Sequence, residues 1–193
     1  MSNVITRYPP SPTGKLHLGS LRTALFNYLF AKKHGGKMIL RFEDTDKARY
    51  KKEFEQDIFE GLEWLRIAPS EVYHQSERTL VYRKHLEKML SDGTAYLSET
   101  SNVSELNQGG EEDDEYALSG EAPARVIRFK NPKKVVAFKD GVRGEISVDT
   151  AELGDFIIAR SLEEPLYHFA VVVDDFEMGV THIIRGEDGI YNT

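Results

Sequence analysis

Cysteine is absent from the chain, and with it go a disulfide framework, a thiol nucleophile and a cysteine-ligated zinc. Long apolar runs are missing too, and none reaches the length a bilayer-spanning helix needs. No signal peptide precedes Arg7. A cytoplasmic protein without a membrane partner is therefore the default expectation. An excess of base is also lacking: 25 Lys and Arg stand against 32 Asp and Glu, a formal net charge of −7. Nucleic-acid binders usually carry a basic footprint, because neutralising phosphates drives much of their affinity. The overall balance speaks weakly against such a partner. Much of the acidity sits in one run, "EEDDE" at 111–115, which leaves room for a local basic face. Internal repeats do not occur. What is present is a globular composition, 40% hydrophobic and 30% charged, over 193 residues. That length suits one domain, or a core domain with one insertion.

The first sixty-odd residues read strand–helix–strand–helix, the opening of a doubly wound α/β domain with parallel strands. "NVITRY" is a β-branched run that ends at prolines. Leu18, Leu21, Leu25 and Leu29 then recur with helical spacing, and "HGG" closes the helix. "KMILRFE" is a second strand. "EDTDKAR" supplies turn and N-cap residues for a helix with Phe54, Ile58, Leu62 and Leu65 on one face. "VYHQSERTLVYRKHLEKMLSDG" reads as a short strand and a helix that Ser76 can cap. After Gly93 the character changes. "AYLSE", "ARVIRFK", "KVVAF" and "EISV" are short strands without intervening helices, interrupted by a polar, acidic stretch at 98–120. "FAVVVDD" and "THIIRGED" look like buried strands returning to the parallel sheet. The expected organisation is a first half of a Rossmann-like domain at 1–91, a β-rich insertion at 92–160, and a return to the sheet at 161–193.

The turn "PPSPTG" between the first strand and first helix carries the chemistry. Backbone N–H groups and a helix N-terminus at the carboxyl edge of a parallel sheet are where α/β folds bind phosphates. The prolines fix φ, so the turn is shaped before a ligand arrives. Gly14 and Gly19 remove side chains where a nucleotide approaches closely, and His17 can donate to phosphate oxygens that gain charge during displacement. Asp174 and Asp175 read as turn and cap formers at the end of a strand rather than as a metal or acid–base pair.

These residues carry a resemblance. "PSPTGKLHLGSLRTALFNYLFAKKHGGKMILRFEDTD", "YHQSER", "VIRFK" and "YHFAVVVDDFEMGVTHIIRGED" closely resemble glutamyl-tRNA synthetases, class I aminoacyl-tRNA synthetases. "HLGS" at His17–Ser20 resembles the class I "HIGH" signature, which makes His17, Gly19 and Ser20 the catalytic candidates. The resemblance implies ATP-dependent activation of L-glutamate to glutamyl-adenylate, then transfer to the 3′ end of tRNA(Glu). It places ATP, accompanied by Mg2+, at Thr13, Gly14, His17 and Gly19, with Glu187 and Asp188 near the ribose or adenine. The amino acid falls to Arg7, Ser11, Glu43, Tyr167 and Arg185. A substrate with two carboxylates and one ammonium suits that set: Arg185 for the side-chain carboxylate with Arg7 and Tyr167 assisting, Ser11 and Glu43 for the ammonium. Two positions depart from the pattern of many relatives, Gly189 on the adenine side and Val171 on the side of the α-carboxylate.

The β-rich insertion resembles the connective domain that embraces the tRNA acceptor end, where Arg125, Arg128, Lys130, Lys133, Lys134 and Lys139 make a basic cluster. Zinc-site cysteines of some relatives have no counterpart, so neither zinc nor another resident metal is expected, and the protein is expected to be a monomer. The second class I signature, Lys-Met-Ser-Lys-Ser, does not occur in the 193 residues. The chain thus resembles the front part of a catalytic domain, nearly inactive in adenylation by itself. Two other readings stay open. One is the glutamyl-queuosine tRNA(Asp) synthetase, a shorter paralogue; the other is a truncated, non-catalytic tRNA- or nucleotide-binding module.

Overall fold

A computed structural model of the chain describes residues 4–46, 49–100 and 124–192. The acidic stretch assigned to 98–120 lies mostly outside them. The fold is mixed α/β and divides into two compact units, one of residues 1–78 with 171–193, the other of 79–170. No helix among the described residues is long and apolar enough to cross a membrane.

The first unit is built on a parallel sheet in the order β1-β2-β3: Ile5–Tyr8, Lys37–Phe42 and Glu71–His74. Helix α1 (Leu18–Lys33) links β1 to β2, and α2 (Lys52–Trp64) links β2 to β3. The register pairs Arg7 with Ile39 and Tyr8 with Leu40. Residues 38–42 of the central strand are all buried, the signature of a strand covered on both faces. One face is apolar. Tyr8, Met38, Leu40 and Phe42 pack there with Ala24, Ala31, Ile58, Leu62 and Ile67.

The helices obey their periodicity but not always the expected face. In α2, Ile58 and Leu62 are buried as the spacing predicts. In α1 the buried residues are Ala24, Asn27 and Ala31, whereas Leu18 and Leu29 are exposed. Small residues let the helix backbone approach the sheet. Gly35, with φ of 67°, ends α1 in the left-handed region that glycine tolerates. The expected caps differ as well. Lys51 is the N-cap of α2 and has no side-chain cap bond, while Asp46 receives the Arg49 amide at 3.1 Å. Ser76 does not cap the third helix; it lies in a 3-10 turn and bonds Asp44.

The carboxyl-terminal part of this unit corrects the sequence reading. "FAVVVDD" is not a strand but part of helix α4 (Tyr167–Glu177). Leu166, Phe169, Ala170, Val173 and Asp174 are buried at i, i+3, i+4, i+7 and i+8, one helical stripe hidden inside an apolar run. Residues 181–186 form no strand either. They run beside β1 through Thr181 N–H to Ile5 C=O at 2.9 Å, and the Asn27 amide donates to Ile184 C=O at 2.9 Å.

The second unit contains α3 (Thr79–Asp92), an antiparallel sheet in the order β4-β5-β8 (Ala95–Thr100, Ala124–Phe129, Ile157–Ala159) and a hairpin of β6 and β7 (Val135–Asp140, Gly144–Asp149). Val126, Ile157 and Leu166 centre its core. Asn131 donates through its side chain to Gly154 C=O at 2.9 Å, and its N–H meets Asp155 at 2.9 Å. The strands expected between Ala95 and Val148 are present.

Candidate functional site

The turn after β1 is anchored to its neighbours by main-chain bonds. Pro10 C=O accepts from Glu43 N–H at 3.0 Å, just past β2, and Pro12 C=O accepts from Lys51 N–H at 3.3 Å. Leu16 N–H donates to Asp57 of α2 at 2.8 Å. Prolines supply acceptors and fixed φ without competing donors, which is why this turn holds one shape. Thr13 is half-buried, while Ser11 and Gly14 are exposed. A Cβ at Gly14 would meet nothing within 4 Å, so the space over the turn is open.

His17 is the N-cap of α1, in extended backbone geometry, and is exposed. Its Nδ1 accepts from Ser20 N–H at 3.4 Å, which leaves Nε2–H to donate outward. A Cβ at Gly19 would lie 3.0 Å from the His17 ring. Glycine at that position lets the ring fold back over the first turn. The Ser20 hydroxyl is paired with Tyr8 Oη at 2.6 Å. Burial pushes the Tyr8 phenol upward, and the Ser20 bond partly opposes it. The first amides of a helix have no partner within it, so the His17 end of α1 offers donors to an anion.

Behind this turn lies a charged cluster on the face of the sheet opposite the apolar core. Successive strand residues alternate in direction, so Arg7 and Arg41 share that face while Tyr8, Leu40 and Phe42 take the other. Arg7 is 2% exposed and Arg41 is fully buried. Arg7 Nε meets the two Asp175 oxygens at 3.2 and 3.1 Å. Arg41 donates from Nη1 to Asp175 at 2.6 Å and from Nη2 to Glu43 at 3.3 Å. Asp174 accepts from Gln75 at 2.9 Å and from Arg78 at 2.7 Å. Asp174 and Asp175 are therefore not turn formers. They are counter-ions delivered by the last turns of α4.

Glu43 sits at the rim of this cluster, one residue past β2, and is nearly buried. Burial pushes its carboxyl up from 4.5 to about 7, against the pull of Arg41 and Arg7, and Asp175 adds to the rise. Burial opposes the charge on Arg41, yet Asp175, Glu43 and Asp174 together hold its pKa above the usual value. Three side-chain atoms of the cluster are buried without a hydrogen bond: Arg7 Nη1, Arg41 Nε and Gln75 Oε1. An unmet buried donor costs about 1–3 kcal/mol, more when charged. At Arg7 Nη1, that is the environment a bound carboxylate would relieve.

The structure brings Arg7 and Glu43 into one cluster and adds Arg41, Asp174, Asp175, Gln75 and Arg78, which the motifs alone do not place there. The Arg7–Arg41 pair was recoverable in principle: two arginines on one face of adjacent buried strands require acids, and "DD" was the acidic pair within an apolar run. Arg185 is half-buried and lies over Gly189, where a Cβ would fall 2.5 Å from its Cδ. A larger residue at 189 would displace Arg185. Glu187 is exposed, and the side chain of Asp188 lies outside the described residues. Tyr167 opens α4 and belongs to the second unit.

In that second unit Arg125, Lys130, Lys133, Lys134 and Lys139 are exposed. Arg128 is not free for a ligand in the same way, because it donates to Ser98 Oγ at 3.1 Å and Asp155 C=O at 3.2 Å. Among the described residues no group of three or more His, Cys, Asp or Glu side chains could hold a metal ion.

A family model described as tRNA synthetases class I (E and Q), catalytic domain, matches residues 3–193. The chain is 45% identical to a glutamate–tRNA ligase of Aquifex aeolicus over 212 aligned positions, covering 100% of this chain and 45% of that protein. It is 43% identical to glutamate–tRNA ligase 1 of Helicobacter pylori, covering 100% of this chain and 45% of the relative. A crystal structure of a glutamate tRNA ligase from Elizabethkingia meningosepticum, in complex with its amino acid, superposes with a TM-score of 0.82 at 38% identity. It covers 98% of this chain, which spans 45% of that one. The chain thus spans a little under half the length of these relatives.

Proposed function

Because the chain belongs to the catalytic-domain family of the class I tRNA synthetases for glutamate and glutamine, a family of enzymes, we propose that it contributes the ATP and amino-acid sites of a glutamate–tRNA ligase. The reaction is activation of L-glutamate by ATP to glutamyl-adenylate, followed by transfer to the 3′ end of tRNA(Glu). One observation carries the preference for an acidic amino acid: buried Arg7 keeps an unpartnered Nη1 beside Glu43 at the carboxyl end of the parallel sheet. A carboxylate satisfies Arg7 with charge-assisted bonds, whereas a side-chain amide does so more weakly.

The roles are those that the family resemblance implies, and the geometry around Arg7, Glu43 and His17 supports theirs. His17 Nε2–H and the open turn at Thr13, Gly14 and Gly19 receive the phosphates, with Ser20 fixing the helix start through Tyr8. Bound ATP supplies the electrophilic α-phosphorus, and Mg2+ travels with its phosphates rather than in a protein cage. Arg7 and Arg185 take carboxylates, Tyr167 adds a hydroxyl, and Ser11 and Glu43 hold the ammonium. Glu187 and Asp188 belong, by the same resemblance, to the segment near the ribose or adenine. Residues 92–160 serve as the connective insertion, its exposed Arg125, Lys130, Lys133 and Lys134 meeting the tRNA acceptor end by phosphate neutralisation, with Arg128 shaping the strand beneath them. Residues 1–91 and 161–193 make the catalytic half.

Calorimetric titration of the 193-residue chain tests the reading. L-Glutamate binds, and L-glutamine binds about tenfold more weakly or worse, as expected when buried charged donors are left unmatched. Glutamate-dependent ATP–pyrophosphate exchange by the chain alone stays near background, because no Lys-Met-Ser-Lys-Ser segment is present to hold the leaving group. A preference for glutamine, or no amino-acid binding at all, overturns the proposal.

A further inference from the structure

We infer that Asp175 is the positioning residue of the amino-acid site, holding Arg7 by its Nε edge so that the Nη edge faces the substrate carboxylate. The inference rests on the glutamate pocket proposed above. A guanidinium has two useful edges, and a carboxylate can occupy either one. Here Asp175 takes the Nε edge, with both oxygens near Nε at 3.1 and 3.2 Å. The same carboxylate receives Arg41 Nη1 at 2.6 Å. Arg41, which is fully buried, therefore fixes where Asp175 stands, and Asp175 in turn fixes Arg7. The far edge of Arg7 is the one without a partner: Nη1 is buried and bonds to nothing.

The second aspartate secures the arrangement from below. Asp174 is fully buried and bridges Gln75 and Arg78 at 2.9 and 2.7 Å. It thereby ties the last turns of α4 to the segment after β3. Consecutive residues on a helix differ by about 100° in direction, so the pair addresses two different targets from one helix end. Asp174 anchors the helix and Asp175 aims the arginine. Arg41 Nε is buried without a hydrogen bond as well, but Asp174 Oδ2 lies 3.8 Å from it as an ion-pair contact. Arg7 Nη1 is the buried, unbonded donor on the arginine that the proposed pocket uses.

The charge arithmetic agrees. Arg7, Arg41 and Arg78 supply three positive charges, and Glu43, Asp174 and Asp175 supply three negative ones when ionised. With Glu43 ionised the cluster is balanced before substrate arrives, and with its raised carboxyl protonated the cluster carries one net positive charge toward an incoming carboxylate. Asp175 orients Arg7, so that carboxylate is selected by direction as well as by charge.

The Arg7 Nε–H signal of the 15N-labelled 193-residue chain, followed during titration with L-glutamate, tests this without any substitution. The expected result is a protected Nε–H that keeps its shift and slow exchange, while the Arg7 Nη signals move. If glutamate displaces Asp175, the Nε–H loses protection and the inference fails. If other pocket signals move and Arg7 does not respond at all, it also fails, although glutamate binding stands. No response anywhere at millimolar glutamate removes both the pocket and the inference. Asp175→Asn then supplies the affinity test, since it keeps size and one acceptor but loses the charge. It raises the Kd for glutamate about tenfold or more, the scale of one charge-assisted bond, and leaves ATP affinity within about twofold. Unchanged glutamate affinity in a folded Asp175→Asn chain overturns the inference.

Discussion

The two faces of the parallel sheet are made by the same three strands and solve opposite problems. On one, Tyr8, Met38, Leu40 and Phe42 pack against α1 and α2 in an apolar core. On the other, Arg7 and Arg41 are buried just as deeply among Asp174, Asp175 and Gln75. Burying apolar area stabilises the fold at about 25 cal/mol per Å². Burying ions costs several kcal/mol each in desolvation, which good pairing only offsets. Stability therefore comes chiefly from the first face. The second is held in place by it, and its worth lies in what it presents to a ligand.

Substitutions at adjacent residues of β2 separate the two contributions. Arg41→Ala leaves Glu43, Asp174 and Asp175 without their shared cation, and costs about 3–5 kcal/mol in urea unfolding. Leu40→Ala, one residue away on the apolar face, opens a cavity and costs about 2–5 kcal/mol. The two single losses look alike, and a compound variant tells them apart. Replacing Arg7 and Arg41 with Met, Asp174 and Asp175 with Leu, and Glu43 and Arg78 with Gln removes the six ions together, and recovers stability to within about 1 kcal/mol of the parent. No comparable rescue exists for the apolar face. Glutamate binding vanishes in the compound variant. If its stability stays as low as that of Arg41→Ala, the charged face is structural and the contrast collapses.

Glu43 sharpens the contrast through pH. Its carboxyl is raised to about 7 from 4.5 by burial. Between those values the folded chain keeps a proton that the unfolded chain has released, so stability falls as pH rises through that window. The destabilisation is complete above about pH 7 and amounts to about 3 kcal/mol for a single group. Glu43→Gln removes this slope, so the difference between variant and parent grows from pH 4.5 to 8 in favour of Gln. Glutamate binding moves the other way, since an ionised Glu43 is what holds an ammonium. A parent and variant with parallel stability profiles would mean that Arg41 and Arg7 keep Glu43 ionised throughout.

Much of this was legible in the residues, for identifiable reasons. β1, α1, β2 and α2 announce themselves through proline and glycine punctuation and through periodicity, and the strands after Gly93 follow from short β-branched runs. Two things were not legible. The first was packing distance. Leu18 and Leu29 mark the face that periodicity assigns to α1, yet the helix meets the sheet through Ala24, Asn27 and Ala31, because hydrophobicity does not report how closely a backbone can approach. The second was α4. Five apolar residues before "DD" suggest a strand, and only the position of Asp174 at i+8 from Leu166 exposes the helical stripe. A buried acid breaks the apolar pattern that would have revealed the helix. The same break hides its partner Arg41, whereas the family resemblance marks Arg7, Ser11 and Glu43.

Gly61 offers the smallest and most local test, on the apolar side. It lies in α2, where a Cβ would fall 2.3 Å from Leu16 Cδ2 and 3.0 Å from Leu21 Cδ2. In an exposed helix Gly→Ala gains about 1 kcal/mol. Here the added methyl must push two leucines, and overpacking of that kind costs about 1–3 kcal/mol. The leucine ends are flexible, so the net effect of Gly61→Ala is a loss of about 1 kcal/mol. The direction of the yielding matters more than its size. Leu16 ends the proline turn, and its N–H is fixed to Asp57 at 2.8 Å. If Leu16 is what moves, the turn at Thr13 and Gly14 shifts with it, and ATP affinity drops while glutamate affinity holds. Pairing Gly61→Ala with Leu16→Ala relieves the clash and restores ATP binding. A stabilised Gly61→Ala chain with unchanged ATP affinity would show that the apolar face does not clamp the turn after β1 at this point, and that the turn relies on its bonds to Glu43, Lys51 and Asp57 instead.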